Sequence, residues 1–423
     1  MSPCVQLRRF FVSEDGMKRT DCLIVGGGAS GLTAAISAKR AAPAMQVTLL
    51  EGGPRVGKKL LTTGNGRCNL TNAKITLSRY RGGDLAAAER VLSRFDPRAT
   101  AAFFASLGVP LREEGDQGKL YPYSLQAASV VDVLRFECDR LGVETLVEQK
   151  AERLTETGVV TADETYRADR IVIACGGQAA PRTGSDGSGY ALLKQAGHTV
   201  TPVTPAIVPI RTETEPIRAV KGLKVDGVVT ASARGESRRE AGEILFTEYG
   251  LSGPPILQLS GLVAAMGGAE LTLDLLPEKS EDWLVSYLRE RKKTAYGDVA
   301  ENLFLGLMHK RVGIAVLKRC GVGPNDSAAS LGENALRAVA RMTKAFRLKA
   351  TGVCGWDAAQ VTAGGVPLSE FDDSLMSRRR PGLFACGEVL DVTGDCGGFN
   401  LQWAWSSGYV AGRSAAAFER SRG

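Results

Sequence analysis

Histidine is scarce in this chain: His198 and His309 are the only two in 423 residues. A mechanism that needs a histidine base, or a metal centre built from several histidines, has almost nothing to draw on. Both are expected to be structural, His198 just past a predicted helix and His309 in a basic helical stretch. Nine cysteines are present, but they are scattered and form no C-x-x-C, which argues against a zinc ribbon and against a redox dithiol beside a cofactor. Most are expected to be reduced core residues, and no metal site is expected. No apolar run approaches the ~18 residues of a membrane span, and the N-terminus lacks the apolar core of a signal peptide, so the expectation is a cytoplasmic chain without a membrane partner. Acidic residues are outnumbered 46 to 53, yet no five like charges run together. That excess predicts a mildly basic surface rather than a nucleic-acid stripe, so nucleic acid is not the expected partner. Clusters such as Arg378, Arg379 and Arg380 read as solvated loop residues.

What is there is an ordinary globular composition, 44% hydrophobic and 23% charged, on a chain long enough for two or three domains. The organising stretch is Asp21–Glu51, DCLIVGGGASGLTAAISAKRAAPAMQVTLLE. An apolar run after Asp21 reads as a buried parallel strand. Gly26, Gly28 and Gly31 fit G-x-G-x-x-G, and Leu32 to Arg40 reads as an Ala-rich helix. Gly26 permits the tight turn, Gly28 lets backbone approach a pyrophosphate, and Gly31 lets helix pack on strand, with the diphosphate at the helix's positive end. Gln46 to Leu50 makes a second strand with Glu51 at its end. Its distance from the first glycine is close to the ~20 residues expected of the acid that bonds the adenosine ribose hydroxyls. Strand, turn, helix and acid together predict dinucleotide binding.

Along the chain, residues 1–17 fit no element and are expected to be a disordered extension. Gly52 to Asn72 is a long irregular stretch dense in Gly, Asn, Thr and Lys, expected to cradle the cofactor through exposed amides, Lys58, Lys59, Arg67 and Asn69. Asp84 to Gly108 predicts two helices, the second with Asp96 as N-cap and Pro97 at the first helical position. Gly118 to Tyr123 reads as a hairpin arm in which Tyr121 packs, and Ser129 to Leu141 as a further helix. Arg170 to Gly177 is a second buried strand ending in a glycine pair, and Tyr190 to Ala196 a helix. From about residue 199 short strands alternate with Pro and Gly, predicting a compact β unit over about 202–277. Helical patterns follow at Glu281 to Lys292, Glu301 to Arg319 and Ala328 to Ala345. Gly382 to Leu390 then returns as a strand, and Gly397 to Gln402 opens a helix running to about Phe418, whose first amides are expected to face something electron-rich. The predicted fold is α/β: a discontinuous Rossmann-like dinucleotide-binding domain, 18–197 and 347–423, with an inserted β-rich plus helical domain over 198–346.

The blocks LTTGNGRCNLTN, TGSDGSGYALLKQAGH, LFTEYGLSGPPILQLS, VTAGGV and GEVLDVTGDCGGFNLQWAWSSGYVAG resemble those of the bacterial HI-0933/YhiN-type NAD(P)/FAD-dependent oxidoreductases. The resemblance spans nearly all of the chain. It implies one FAD per chain, held by Gly26, Gly28, Ala29, Ser30 and Gly31 at the pyrophosphate and Glu51 at the ribose. By the same carry-over Lys58, Lys59, Asn65, Arg67, Cys68 and Asn69 line the flavin side, Ala174, Gly176 and Gly177 lie beneath the dinucleotide, and Gly387, Glu388, Asp391, Gly397, Gly398, Asn400 and Leu401 close over ribityl and flavin. Two positions depart from the family pattern: Glu248 stands where histidine is frequent, and Phe399 where tyrosine is.

The expected activity is hydride transfer through flavin N5, most simply NAD(P)H-dependent reduction of a small organic substrate. Oxidation of an amine such as aminoacetone by oxygen is one alternative, and action on RNA another. No second G-x-G-x-x-G is present, so NAD(P)H is expected to dock transiently. Arg67 and Asn400 are the candidate catalytic groups facing substrate. The oligomeric state is not readable from the sequence.

Overall fold

The computed structural model describes residues 17–294 and 298–419, so all of the expected extension but Met17 lies outside the described residues. The chain divides into two compact units, residues 1–203 with 361–423, and residues 204–360. Relative to the sequence expectation the inserted unit begins at 204 instead of 198 and ends at 360 instead of 346. The shift at its end has a plain cause: Phe346–Val353 is hydrogen-bonded between Ala269–Asp274 and Ile210–Thr212 and so belongs to the insert's own sheet.

In the first unit, short runs of Val, Ile and Leu form parallel strands buried on both faces. The order is Glu144–Leu146, Val47–Leu50, Lys18–Val25, Thr165–Ile173. The last of these pairs in parallel with Leu383–Ala385 along its end and antiparallel with Gly158–Val160 along its start. This is the Rossmann-type arrangement, and it is discontinuous because Leu383–Ala385 follows the insert. Helix starts obey their caps: Asp84 accepts from Ala87 N–H at 2.9 Å and Asp96 from Ala99 N–H at 2.8 Å.

The C-terminal helix Phe399–Ala417 packs on the first helix, Ala29–Ala41, along glycines one turn apart. A Cβ on Gly408 would run into the Ser30 carbonyl, and one on Gly412 into the Ala34 carbonyl, so only glycine allows the two backbones this close. The C-terminal helix also buries Trp403 and Trp405, 1% and 0% exposed, each burying area equivalent to about 4–6 kcal/mol before entropic costs. Their indole N–H groups are matched, Trp403 to Gly387 O at 3.0 Å and Trp405 to Leu70 O at 2.8 Å. Gln402, fully buried, donates to Phe95 O and Ser406 Oγ at 2.8 and 2.9 Å.

The arginine run is not simply solvated. Arg378 Nε donates to Phe371 O, Arg379 pairs with Glu370 at 3.0 Å, and Arg380 donates to Thr155 and Glu156 carbonyls. Glu370 also accepts from the buried His198 at 2.7 Å, while Ser377 lies 2.8 Å from the other ring nitrogen. Burial opposes ionisation of Glu370, but bonds from Arg379, Thr199 and His198 outweigh it and hold the carboxyl down at about 2. Burial dominates at His198 and lowers its pKa, so the ring is neutral near pH 7.

The second unit is a closed six-stranded antiparallel barrel, ordered Ile210–Thr212, Gly250–Ser252, Glu236–Phe246, Lys224–Ala233, Ala269–Asp274, Phe346–Val353. Three expectations are corrected here. Within the predicted all-β stretch, Pro254–Met266 is a helix, with proline at its start and Gly267 in the left-handed region past its end. The helix expected from Glu301 begins only at Lys310, because Gly306 adopts φ +82 and Phe304 is drawn fully into the core. His309 caps it, accepting from Arg311 N–H at 3.2 Å. The last helix starts at Glu333 instead of Ala328, after the N-cap Gly332.

Two measurements follow. Gly412→Leu should cost about 1–3 kcal/mol or more in denaturant unfolding, whereas a stability equal to the parent's would show that the helices do not need this approach. Because Glu370 is depressed from its ordinary 4.5, its stabilising effect is complete above that pH and is lost as pH falls toward 2. Neutral His198 adds loss in the same direction below its ordinary pKa. Glu370→Gln is therefore expected to destabilise the protein by on the order of 2 kcal/mol at pH 7 and hardly at all near pH 2, as read from thermal midpoints across that range.

Candidate functional site

The cradle forms where the parallel strands Lys18–Val25 and Thr165–Ile173 end, the edge at which ligands meet an open α/β sheet. Gly26 follows the first strand with φ +110, and a Cβ there would stand 2.5 Å from the Ala174 carbonyl oxygen. A Cβ on Gly31 would overlap the Gly26 carbonyl. At Gly28, the N-cap, it would meet nothing within 4 Å, and no side chain caps the helix. The first-turn amides of Ala29, Ser30 and Gly31 therefore open beside a bare backbone, which is the donor set a pyrophosphate requires.

Glu51 ends its strand with both carboxylate oxygens anchored, Oε2 accepting from Gly27 N–H at 2.9 Å and Oε1 from Gly53 N–H at 2.7 Å. A carboxylate offers about four acceptor positions, so two stay available for ribose hydroxyls. Lys59 Nζ lies 2.7 Å from Glu388 Oε2 and 3.4 Å from Ser185 Oγ. The other Glu388 oxygen accepts from Thr362 N–H at 2.7 Å, and Thr362 Oγ1 accepts from the amides of Gln178 and Ala179. Gly177 fits against Thr362 and Glu388, and Gly176 against Ser185. Asp391 is half-buried, and burial raises its carboxyl, against a single opposing backbone bond from Gly83. The sequence singled out Lys59 and Glu388 but not their pairing, and it missed Thr362 as the support of Glu388. The VTAGGV block was the available signal.

At the other end Gly398 caps the C-terminal helix with φ +99, and the amides of its first turn, through Leu401, lack a side-chain cap. Gly398's own N–H is not free for a ligand. With its carboxamide turned so that both ends are matched, Asn69 accepts that N–H at 3.2 Å and donates to Leu120 and Thr71 carbonyls. Asn400 is likewise spent on the chain, accepting from Gly394 N–H at 2.8 Å and donating to Gly394 O at 2.7 Å. Both asparagines are thus clamps of the Thr393–Phe399 turn and the strand beside it. Gly397 O receives Asn72 Nδ2 at 2.8 Å. Cys68 does not line an open surface either: it is fully buried, with φ +60, and burial pushes its thiol up to about 12.

Lys58 and Asn65 are exposed. Arg67 is the loop's partly open cation: Nη1 bonds Glu114 Oε2 at 2.8 Å, the guanidinium lies 4.8 Å from the Tyr121 ring centroid, and 42% of the side chain is exposed. Tyr121, read as packing, is 6% exposed and does pack, but as the platform for Arg67. Glu114 was not foreseen, because its meeting with Arg67 depends on the hairpin Leu111–Glu114 with Lys119–Pro122 folding back beside Thr71–Asn72. Phe399 is buried edge-on to Tyr80, and in the second unit Glu248 pairs with Lys221 at 2.6 Å on the surface.

Taken together, the bare helix start, the anchored acid, the lysine–glutamate pair and the second helix start fit FAD. Among the described residues no group of three or more His, Cys, Asp or Glu could hold a metal ion, and no helix is long and apolar enough to cross a membrane.

The family model described as the HI0933-like protein Rossmann domain matches residues 20–414. The chain is 41% identical over 404 residues to a 3-dehydro-bile acid delta(4,6)-reductase of Clostridium scindens, covering 93% of this chain and 98% of that protein. It is 31% identical over 414 residues to a ribosomal RNA dihydrouridine synthase of Escherichia coli, covering 96% of this chain and all of that protein, 100%. A solved 3-ketosteroid-delta4-(5alpha)-dehydrogenase from Rhodococcus jostii is similar at 17% identity and a TM-score of 0.48, covering 94% of this chain and 97% of that one.

The cradle can be tested at Gly28, where a larger side chain meets no protein atom. Gly28→Val should fold like the parent by circular dichroism yet lose most of its yellow cofactor, by about tenfold or more in absorbance near 450 nm. Parent-like flavin content in the folded variant would move the pyrophosphate elsewhere.

Proposed function

The chain belongs to the HI0933-like Rossmann family of flavin-dependent oxidoreductases, and on that premise we propose that it reduces a carbon–carbon double bond conjugated to a carbonyl, drawing its electrons from NAD(P)H. The observation that supports this most is the likeness to the bile-acid reductase across almost the whole of both chains, joined to the uncapped helix start at Gly28 and the anchored Glu51, which fit FAD. FAD bound in the cradle supplies hydride exchange at its N5. The names of both relatives describe saturation of a double bond next to a carbonyl, a steroid ketone in one and the uracil ring in the other. The chemistry common to them, rather than either molecule, is what we carry over.

The protein's own part is to hold, orient and stabilise charge. The Lys59–Glu388 pair and Thr362 tie the Gly52–Asn72 loop to the turn after Leu383–Ala385, keeping the ribityl side in register. As the far carbon of the double bond is reduced, negative charge gathers on the carbonyl oxygen, and Arg67 is the group we assign to meet it. Its contacts with Glu114 and Tyr121 hold the guanidinium in one orientation before substrate arrives. Asn400 has a supporting task instead, that of keeping the helix start in position. Burial raises the thiol pKa of Cys22, Cys68, Cys138, Cys175 and Cys386 to about 12, so none of them supplies a thiolate. A second reading, favoured by the likeness to the RNA-modifying relative, makes the carbonyl compound a uridine in ribosomal RNA.

The test is the anaerobic flavin spectrum with NADH or NADPH, followed by a 3-oxo-4,6-diene steroid acid or a uridine-containing ribosomal RNA fragment. Bleaching by either nucleotide and recovery on adding one of these acceptors is the expected result. A flavin that ignores both nucleotides and is instead bleached by aminoacetone and restored by air would make the protein an oxidase. Arg67→Ala should lower kcat on the order of 100-fold with little change in flavin content, and Arg67→Lys should restore part of it.

A further inference from the structure

The first unit carries a basic and aromatic face that neither the FAD cradle nor the carbonyl site uses in full. It lies on the hairpin of Leu111–Glu114 and Lys119–Pro122, whose register sets Arg112 opposite Tyr121 and Glu114 opposite Lys119. Alternation along the strands sends these four side chains to one face and Glu113 to the other. Tyr123 continues the row, its N–H donating to Pro110 O at 2.8 Å. That face therefore carries Arg67, Arg112 and Lys119 against the single carboxylate of Glu114, which both guanidiniums share.

The row runs outward from the cofactor's flavin end. Thr71 and Asn72 pair with Leu120 and Lys119, Tyr121 lies against Gly64, and Asn72 bonds Gly397. At the outer end Tyr123 is 64% exposed, the most exposed large apolar side chain among the described residues. Arg112 covers one face of its ring at 5.7 Å from the centroid while its guanidinium pairs with Glu114 at 2.5 Å. A flat ring held by a guanidinium, on a face with three cations to one carboxylate, suits one nucleotide: a base to stack and a phosphate to pair. With one exposed ring and no long run of cations, the face lacks the phosphate track a nucleic-acid strand would follow.

We propose that this hairpin face docks the adenylate half of the nicotinamide dinucleotide, with Tyr123 and Arg112 receiving adenine and Arg112 and Lys119 the phosphates. The inference rests on the reading of NAD(P)H as electron donor and names the site that reading lacks. The chain shows no second G-x-G-x-x-G for a donor nucleotide, which favours its capture on a surface adjoining the flavin.

The experiment titrates ADP-ribose into the flavin-loaded protein by calorimetry and measures flavin reduction by NADH and NADPH, for the parent, Tyr123→Ala and Arg112→Gln. ADP-ribose affinity is expected to fall, and KM for the preferred nucleotide to rise about tenfold or more in each variant, with kcat and the rate of reduction by dithionite unchanged. Parent-like affinity and KM in both variants would overturn the site while leaving NAD(P)H as donor. Failure of either nucleotide to bleach the parent flavin, while dithionite does, would instead overturn the donor assignment and this site with it. If the variants keep their nucleotide KM but lose binding of a single-stranded RNA oligonucleotide, the face belongs to RNA and the proposal is wrong.

Discussion

The close approach of two helices from opposite ends of the chain is the constraint on which the rest depends. Gly408 and Gly412 let the C-terminal helix rest on the Ser30 and Ala34 carbonyls of the first helix, so the two helices share one buried seam. Once they are so joined, Gly387 is brought against Ser30, a Cβ there standing too close to the Ser30 side chain. The turn bearing Glu388 is thereby fixed beside the pyrophosphate end of the cradle. The same helix begins at Gly398, which delivers its first-turn amides to the opposite end. One packing contact therefore sets the spacing between the two helix starts.

Around that seam, polar groups are used chiefly to hold loops. Asn69, Asn72, Asn400 and Thr362 each match two or more backbone groups, and buried Gln402 matches Phe95 O and three side-chain hydroxyls; an unmatched buried partner would cost on the order of 1–3 kcal/mol. The Lys59–Glu388 pair does the same across a longer gap. With side chains 26% and 21% exposed, it is screened from bulk water enough to be directional, but its value lies in position more than in net stability. Such supports give the Gly52–Asn72 stretch a defined shape around a kinked 3-10 segment, Leu60–Gly66, and the two-residue strand Thr71–Asn72.

Much of this was legible in the sequence. The strand, glycine turn, helix and acid of Asp21–Glu51 declare themselves because each is a local requirement on residue type. The caps at Asp96 and Pro97 did so for the same reason. The roles of Asn69, Asn400 and Cys68 were not legible, since the motif marks them as special without saying whether their polar atoms face a ligand or the chain. Glu114 left no local signal at all. The strand Phe346–Val353 completes the insert's barrel and not the first unit, because a short segment does not say which sheet it will join. Pro254–Met266 was lost among strands because an apolar run with little periodicity does not distinguish a buried helix from a strand.

By itself the sequence determined what depends on near neighbours: the glycine turn, the acid at the second strand's end and the helix caps. Tertiary structure alone decided which distant groups meet, Lys59 with Glu388, Arg67 with Glu114 and Tyr121, His198 with Glu370. The physical reason is that the first set is governed by backbone geometry over a few residues. The second is governed by loop closure over long stretches of chain, where many pairings are chemically acceptable and the packing of the core selects one.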